Sequence, residues 1–357
     1  MPKLILFISF LGISLSLSAQ SLPDLPLQDP DTVRKELKEL FVELGKKHPG
    51  FYRYQDTISF HGYIDSVIQT IEAPLTELEI LRKAKPIFAK LGCVHTGIYL
   101  SEETETLFDK GPFCPPFLLH HQEGEFYVWK IMGEKNPLTP GDRITHINGQ
   151  EISSIYAHLL ANIPMDGYNI TGKYKTLQYR FPAWYRNFIE VTDRFTIQTA
   201  KGKTFELKGL PMSAFPDYKD IITDPMSLEI QDGSATITIP SFSNSYLRSH
   251  KQKFKKEIKA YFKEIEDKKI PTLLIDVRDN TGGTDSNPAW LTSFFFEESY
   301  KYRDKITVTE GIAMDIKGIN KWAYGKPQLS DNLWHWGLNG LYSKEFSYVQ
   351  AQEPTEK

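Results

Sequence analysis

Leu274-Ile275-Asp276-Val277-Arg278-Asp279-Asn280-Thr281-Gly282-Gly283 is the stretch on which the fold turns. The nearly all-apolar run Thr272-Leu273-Leu274-Ile275-Asp276-Val277 predicts a buried strand of the kind found in parallel sheets. Charges follow at once, and then a glycine pair. Adjacent glycines lack the Cβ atoms that keep a substrate from the backbone, so their N–H groups can face a developing oxyanion. A helix expected from about Asn287 adds its positive end. The same residues also suit a plain strand-to-helix turn, with Asp276 and Arg278 as a supporting ion pair.

Upstream, Ala235 to Ile239 predicts a strand, and Leu247, Phe254, Ile258, Phe262 and Ile265 share one face of an expected helix. Strand, helix and apolar strand together predict a right-handed βαβ unit, the opening of an α/β domain. From Phe113 to about Leu210 short alternations such as Phe126-Tyr127-Val128-Trp129 and Phe195-Thr196-Ile197 lie between Gly and Pro turns, which predicts a compact β-rich domain. Nearer the start, a Pro-rich linker at Leu22 to Pro30 leads into Val33, Leu37, Leu40, Phe41 and Leu44 at helical spacing. A second helix is expected from Thr76, where Thr76 and Glu79 have capping-box spacing, through a kink at Pro86 to Leu91. Val94 to Leu100 is expected as a strand. The chain thus divides into 28–100, 112–210 and 225–357.

Residues 1–19 are expected to be a cleaved signal peptide: Lys3, an apolar run from Leu4 to Leu17, then Ser18-Ala19-Gln20. This predicts a periplasmic or secreted protein, with no stable membrane insertion, since no later stretch has the roughly 20 apolar residues a span requires. A chain of 357 residues exceeds what one core usually holds. Its net charge of -3 and pI near 6.3 leave no electrostatic footprint for nucleic acid. Cys93 and Cys114, the only cysteines, are too few for a disulfide framework, although an oxidising compartment would allow them to pair. The histidines, the adjacent His120 and His121 included, have no zinc spacing, and no metal or organic cofactor is expected.

Asp276-x-Arg278-x-Asn280-x-Gly282-Gly283 resembles the aspartate, arginine, asparagine, double-glycine signature of the tail-specific (C-terminal-processing) serine peptidases. Three other segments agree in order. Leu138-Thr139-Pro140-Gly141-Asp142-Arg143-Ile144-Thr145-His146-Ile147-Asn148-Gly149 resembles that family's PDZ-like segment, with its Pro-Gly-Asp turn and Asn-Gly hairpin. Gly233 to Phe242 resembles the strand opening the catalytic core, and Leu91-Gly92-Cys93-Val94-His95-Thr96 the His-Thr element before the PDZ-like part. The resemblance runs from about residue 30 to about 300.

It implies an α/β multi-domain fold: a helical N-terminal unit, a PDZ-like β domain over 112–210, and a partial core like the ClpP/crotonase superhelix over 225–357. It further implies peptide-bond hydrolysis by a serine, with His95 as general base and the N–H groups at Gly282 and Gly283 as oxyanion hole. Asp276, Arg278 and Asn280 would support that loop. The rival reading of His95 is a structural histidine at a helix-to-strand junction, and other branches use a Ser-Lys pair in place of the histidine. The implied partner is a peptide or unfolded protein tail, added as a strand to a PDZ-like sheet edge. No Gly-Leu-Gly-Phe carboxylate-binding loop is legible over Pro112 to Phe117. None of Ser286, Ser293, Ser299, Ser330, Ser343 and Ser347 follows a buried-strand pattern and opens a helix. The chain is therefore expected to stop before the nucleophile and to be inactive alone. A non-catalytic envelope protein binding peptides through the PDZ-like domain is the alternative.

Overall fold

The computed structural model describes residues 24–216 and 224–297, with strand pieces at 300–301, 306–308, 344–346 and 351–352. The expected signal peptide at 1–19, Ser299, Ser330, Ser343 and Ser347 lie outside them. The described residues divide between two units, one drawn from 1–29, 73–89 and 94–215, the other from 30–72, 90–93 and 216–357.

In the second unit the expected strand–helix–strand succession forms. Strand β7 (Ser227–Gln231) turns through Asp232 and Gly233, both at positive φ, into antiparallel β8 (Ser234–Thr238), and β9 (Thr272–Asp276) pairs parallel to β8. The tight turn suits Asp-Gly because both central residues must be left-handed. Ala235, Ile237 and Ile239 face Leu247, Phe254 and Ile258 in one buried cluster. Two expectations need correction. The single helix is two, α7 (Asn244–Ser249) and α8 (Phe254–Asp267), because the chain bends at Lys251 (φ 58°) after the amides of His250 and Gln252 close onto Leu247 O. Nor is the apolar strand buried on both faces. It pairs only with β8 among the described strands; Leu273 and Ile275 pack on the core, while Leu274 is 52% and Val277 44% exposed.

The same unit holds α1 (Pro30–Lys47) and α2 (Thr57–Gln69). The expected α1 stripe buries Val33, Leu37 and Phe41 but leaves Leu40 exposed. Helix α2, which the sequence reading passed over, starts where Asp56 accepts from Ser59 N–H.

In the first unit the capping box at the start of α3 (Glu77–Leu91) forms: Thr76 N–H donates to Glu79 Oε2 at 2.8 Å and Glu79 N–H to Thr76 Oγ1 at 3.3 Å. The helix continues through Pro86 and ends at Gly92, whose φ of 72° is the left-handed stop that favours glycine. After α4 (Glu102–Lys110) come the hairpin β1 (Phe117–Gln122) and β2 (Glu125–Ile131), and a second sheet ordered β4-β3-β5-β6. Its strands are β3 (Ile144–Ile147), β4 (Gln150–Glu151), β5 (Arg194–Thr199) and β6 (Thr204–Lys208). The Asn148–Gly149 hairpin forms, both residues at positive φ, with Asn148 Oδ1 accepting from Thr196 N–H.

The region is less β-rich than expected, since it also holds α5 (Ile152–Asn162) and the 18-residue α6 (Thr171–Phe188). In α6 the buried Leu177, Phe181, Tyr185 and Phe188 recur at helical spacing, a stripe obscured by Pro182 and the density of aromatics. Buried Arg186 pairs with Glu105 and Asp109 of α4 at 3.0 and 2.7 Å. Cys114 is wholly buried and, like Cys93, a thiol; burial pushes its pKa up to about 11. The strand expected over Val94 to Leu100 is absent: these residues belong to no helix or strand.

Candidate active site

Beyond β9 the chain is fixed chiefly through its backbone. Ile239 N–H donates to Asp276 O at 2.9 Å, extending the ladder one step past β8. Arg278 turns back to grip Asp276 with Nε on Oδ1 at 2.9 Å and Nη2 on Oδ2 at 2.6 Å, and these bonds hold the Asp276 carboxyl below its usual range. Asn280 then ties two segments together. Its Nδ2 donates to Ile239 O at 3.0 Å and its Oδ1 accepts from Gly282 N–H at 2.7 Å. Phe242 N–H donates to Gly282 O at 3.0 Å and Thr284 N–H to Phe242 O at 3.1 Å, a parallel bridge that brackets Gly283.

The two glycines are needed for different reasons. At Gly282 (φ 97°) a Cβ would meet nothing, so conformation is the constraint. At Gly283 (φ 143°) a Cβ would lie 2.3 Å from Ser243 N and 2.5 Å from Phe242 C, so both conformation and close approach exclude a side chain. Gly282 N–H is committed to Asn280, whereas Gly283 is exposed and its N–H meets no partner among the described residues. The expected helix is α9 (Ser286–Thr292), one residue earlier than read and only seven residues long, so Ser286, which was not expected to open a helix, is its first residue. Buried Asn287 donates from Nδ2 to Phe242 O at 2.8 Å and to Asn244 Oδ1 at 2.9 Å, clamping the facing loop.

His95 belongs to the other unit. It is exposed, and among the described residues none hydrogen-bonds its imidazole. Asp166 and Lys85 both bond the backbone of its segment. Asp166 Oδ1 accepts from Val94 N–H at 2.8 Å, and Lys85 Nζ donates to Ile98 O at 2.7 Å. Lys85 is 3% exposed, lies 4.1 Å from the Tyr99 ring centroid and 5.7 Å from that of Trp184, and has no ion pair with any described carboxylate. Desolvation pushes its pKa down to about 8.

Residues 233–313 match the model of Peptidase family S41. The match covers β8, β9, the Asn280 clamp, both glycines and α9; His95 lies outside it. Among solved structures the chain resembles a crystal structure of a CPAF mutant and mature CPAF complexed with lactacystin. For each, the TM-score is 0.53 at 13% identity, over 87% of this chain and 69% of the other. Mature CPAF alone gives 0.51 at 13%, over 87% and 68%. No curated protein matches the sequence. At such identity the likeness speaks for the fold, an α/β multi-domain fold shared with CPAF. The Peptidase family S41 match supports a peptidase-like function, with peptide or protein as the class of substrate.

Within the Peptidase family S41 segment, sequence reasoning picked out Asp276, Arg278, Asn280 and the glycines but read Asn287 only as a helix start. Its signal was faint: one amide side chain in the first turn of a short helix. Asp166 and Lys85 were missed altogether, since neither belongs to a motif and their partners are backbone atoms distant in sequence. Among the described residues no group of three or more His, Cys, Asp or Glu is placed to hold a metal ion, and no helix is long and apolar enough to cross a membrane.

Proposed function

We propose that this chain is the scaffold of a serine peptidase that cleaves peptide or protein tails in the cell envelope. Gly283 N–H stabilises the oxyanion and His95 is the general base. The observation that carries this reading is the Gly283 amide: exposed, unpartnered among the described residues, and held by a loop bonded on both sides. A preorganised donor of this kind lowers the barrier because it does not reorient as charge develops on the carbonyl oxygen. Gly282 shapes the loop, and its own amide is occupied by Asn280.

The attacking serine is assigned to residues outside the described ones, because Ser286 opens α9 but follows the glycine turn rather than a buried strand. Ser293 is buried and donates to Trp290 O, and Ser241 and Ser243 are engaged in the loop facing Gly283. In the reaction, serine attack on the scissile carbonyl sends its proton to His95 as the oxyanion forms against Gly283 N–H; His95 passes the proton to the amine as the C–N bond breaks, and water, deprotonated by His95, then hydrolyses the acyl-serine and restores the hydroxyl. The 112–210 region, PDZ-like in this reading, presents the tail.

The test is cleavage of a quenched fluorogenic peptide by the gene's full-length product, beside labelling with a serine-directed fluorophosphonate. Cleavage and labelling that both fall in His95→Ala support the reading. Unchanged cleavage in that variant would remove His95 as the base and favour a Ser-Lys pair. A product that binds unstructured peptides, turns none over and takes no label is the non-catalytic peptide binder.

A further inference from the structure

A residue that moves a proton must be held to within a fraction of an ångström, yet His95 sits in a stretch with no strand or helix and no hydrogen bond to its ring among the described residues. Position must therefore come from elsewhere. Val94, immediately before it, gives its N–H to Asp166 Oδ1, and Ile98, three residues after it, offers its carbonyl to Lys85 Nζ. Asp166 lies in the connection between α5 and α6, and Lys85 on the inner face of α3, whose start is locked by its capping box. Tyr99 lays one face of its ring over the Lys85 ammonium while remaining 70% exposed. Gly97 leaves room for this fold-back, since a Cβ there would come within 3.2 Å of Tyr99 Oη.

We propose that Asp166 and Lys85 are positioning residues that hold the His95 segment from either end. The inference rests on His95 being the general base. Neither side chain touches substrate; each acts through the backbone of one short segment. The two ties differ in chemistry. At Asp166 only an acceptor oxygen is needed, so asparagine can replace aspartate. At Lys85 a long donor must reach a carbonyl from a buried position, and methionine fills the space without donating.

The experiment compares Asp166→Ala, Asp166→Asn and Lys85→Met in the full-length product, each alone and combined with His95→Ala. Because displacing a catalytic group by about 1 Å costs on the order of 100-fold, loss of either tie is expected to lower kcat roughly tenfold with KM unchanged. Asp166→Asn should keep wild-type kcat, and neither Asp166→Ala nor Lys85→Met should lower activity further once His95 is alanine. A fall in melting temperature with KM rising alongside would mark a merely structural role and overturn the proposal. So would full kcat in Asp166→Ala and Lys85→Met in a protein that His95→Ala inactivates. If His95→Ala itself keeps full turnover, the base assignment fails, and the ties are judged by the NMR signals of the His95 ring and the Val94 amide. Shifts in Asp166→Ala but not in Asp166→Asn uphold the positioning claim, and unchanged signals in both refute it.

Discussion

The loop at Gly282–Gly283 and the segment around His95 have to be equally exact in the proposed chemistry, but they are held by opposite means. Around the glycines, backbone bonds to Phe242, two asparagine side chains and a close approach to Ser243 constrain one short turn together. At His95 no ladder exists, and side chains distant in sequence, Asp166 and Lys85 among them, bond the backbone. A loop fixed through its backbone tolerates surface substitution and fails only when a glycine or an amide clamp is changed. A segment fixed by single side chains is easily retuned and easily lost.

The sharpest way to break this contrast is Gly283→Val. The new side chain has no room beside Ser243 and an unfavourable φ, so peptidase activity should fall roughly 1,000-fold, in line with the loss of an oxyanion donor. Retained turnover would end the oxyanion role. His95→Ala comes next, with activity down about 100-fold and the thermal melt unmoved, because the ring is exposed. A lowered melt would mean that the histidine is structural.

Asn280→Ala should destabilise the second unit by roughly 1–3 kcal/mol, since it leaves Ile239 O and Gly282 N–H without their partner. Urea unfolding measures this, and a change near zero would show that the turn does not depend on its clamp.

Two smaller effects depend on pH. Lys85 has a folded pKa depressed to about 8, so its burial opposes folding most below that pH and is relieved as pH rises toward the ordinary lysine range. Wild type should therefore gain thermal stability relative to Lys85→Met between about pH 8 and 10, where the unfolded chain binds the extra proton. A constant difference would mean that the amine is hydrated. Smallest is Arg278→Ala. The bonds that depress the Asp276 carboxyl are on the surface, so the melt at neutral pH should barely move. Any difference should vanish as pH falls through the depressed carboxylate range.

The parts legible in the sequence were those whose cause is local. Thr76 and Glu79 announce a capping box three residues apart, Asn148–Gly149 a hairpin, and Gly282–Gly283 a turn that needs positive φ. The parallel pairing of β8 and β9 also followed from the run of apolar residues. What was not legible depends on distant partners. Leu274 reads like any core leucine, and only the sheet order leaves it exposed. The apolar tail of Val94 to Leu100 reads like a strand, but its backbone bonds to Asp166 and Lys85 rather than to a neighbouring strand. The α6 stripe stands at helical spacing, but Pro182 within it argues locally against a helix.

The two thiols differ in a way that gives each unit its own chemical reporter. Cys114 is sealed in the first unit with a thiol that resists ionisation, and half-buried Cys93 falls in the second. A pulse of alkylating reagent at neutral pH should spare Cys114 in the folded protein and mark it only in molecules whose first unit has opened. Mass spectrometry of that one peptide then times the opening of the unit that carries His95.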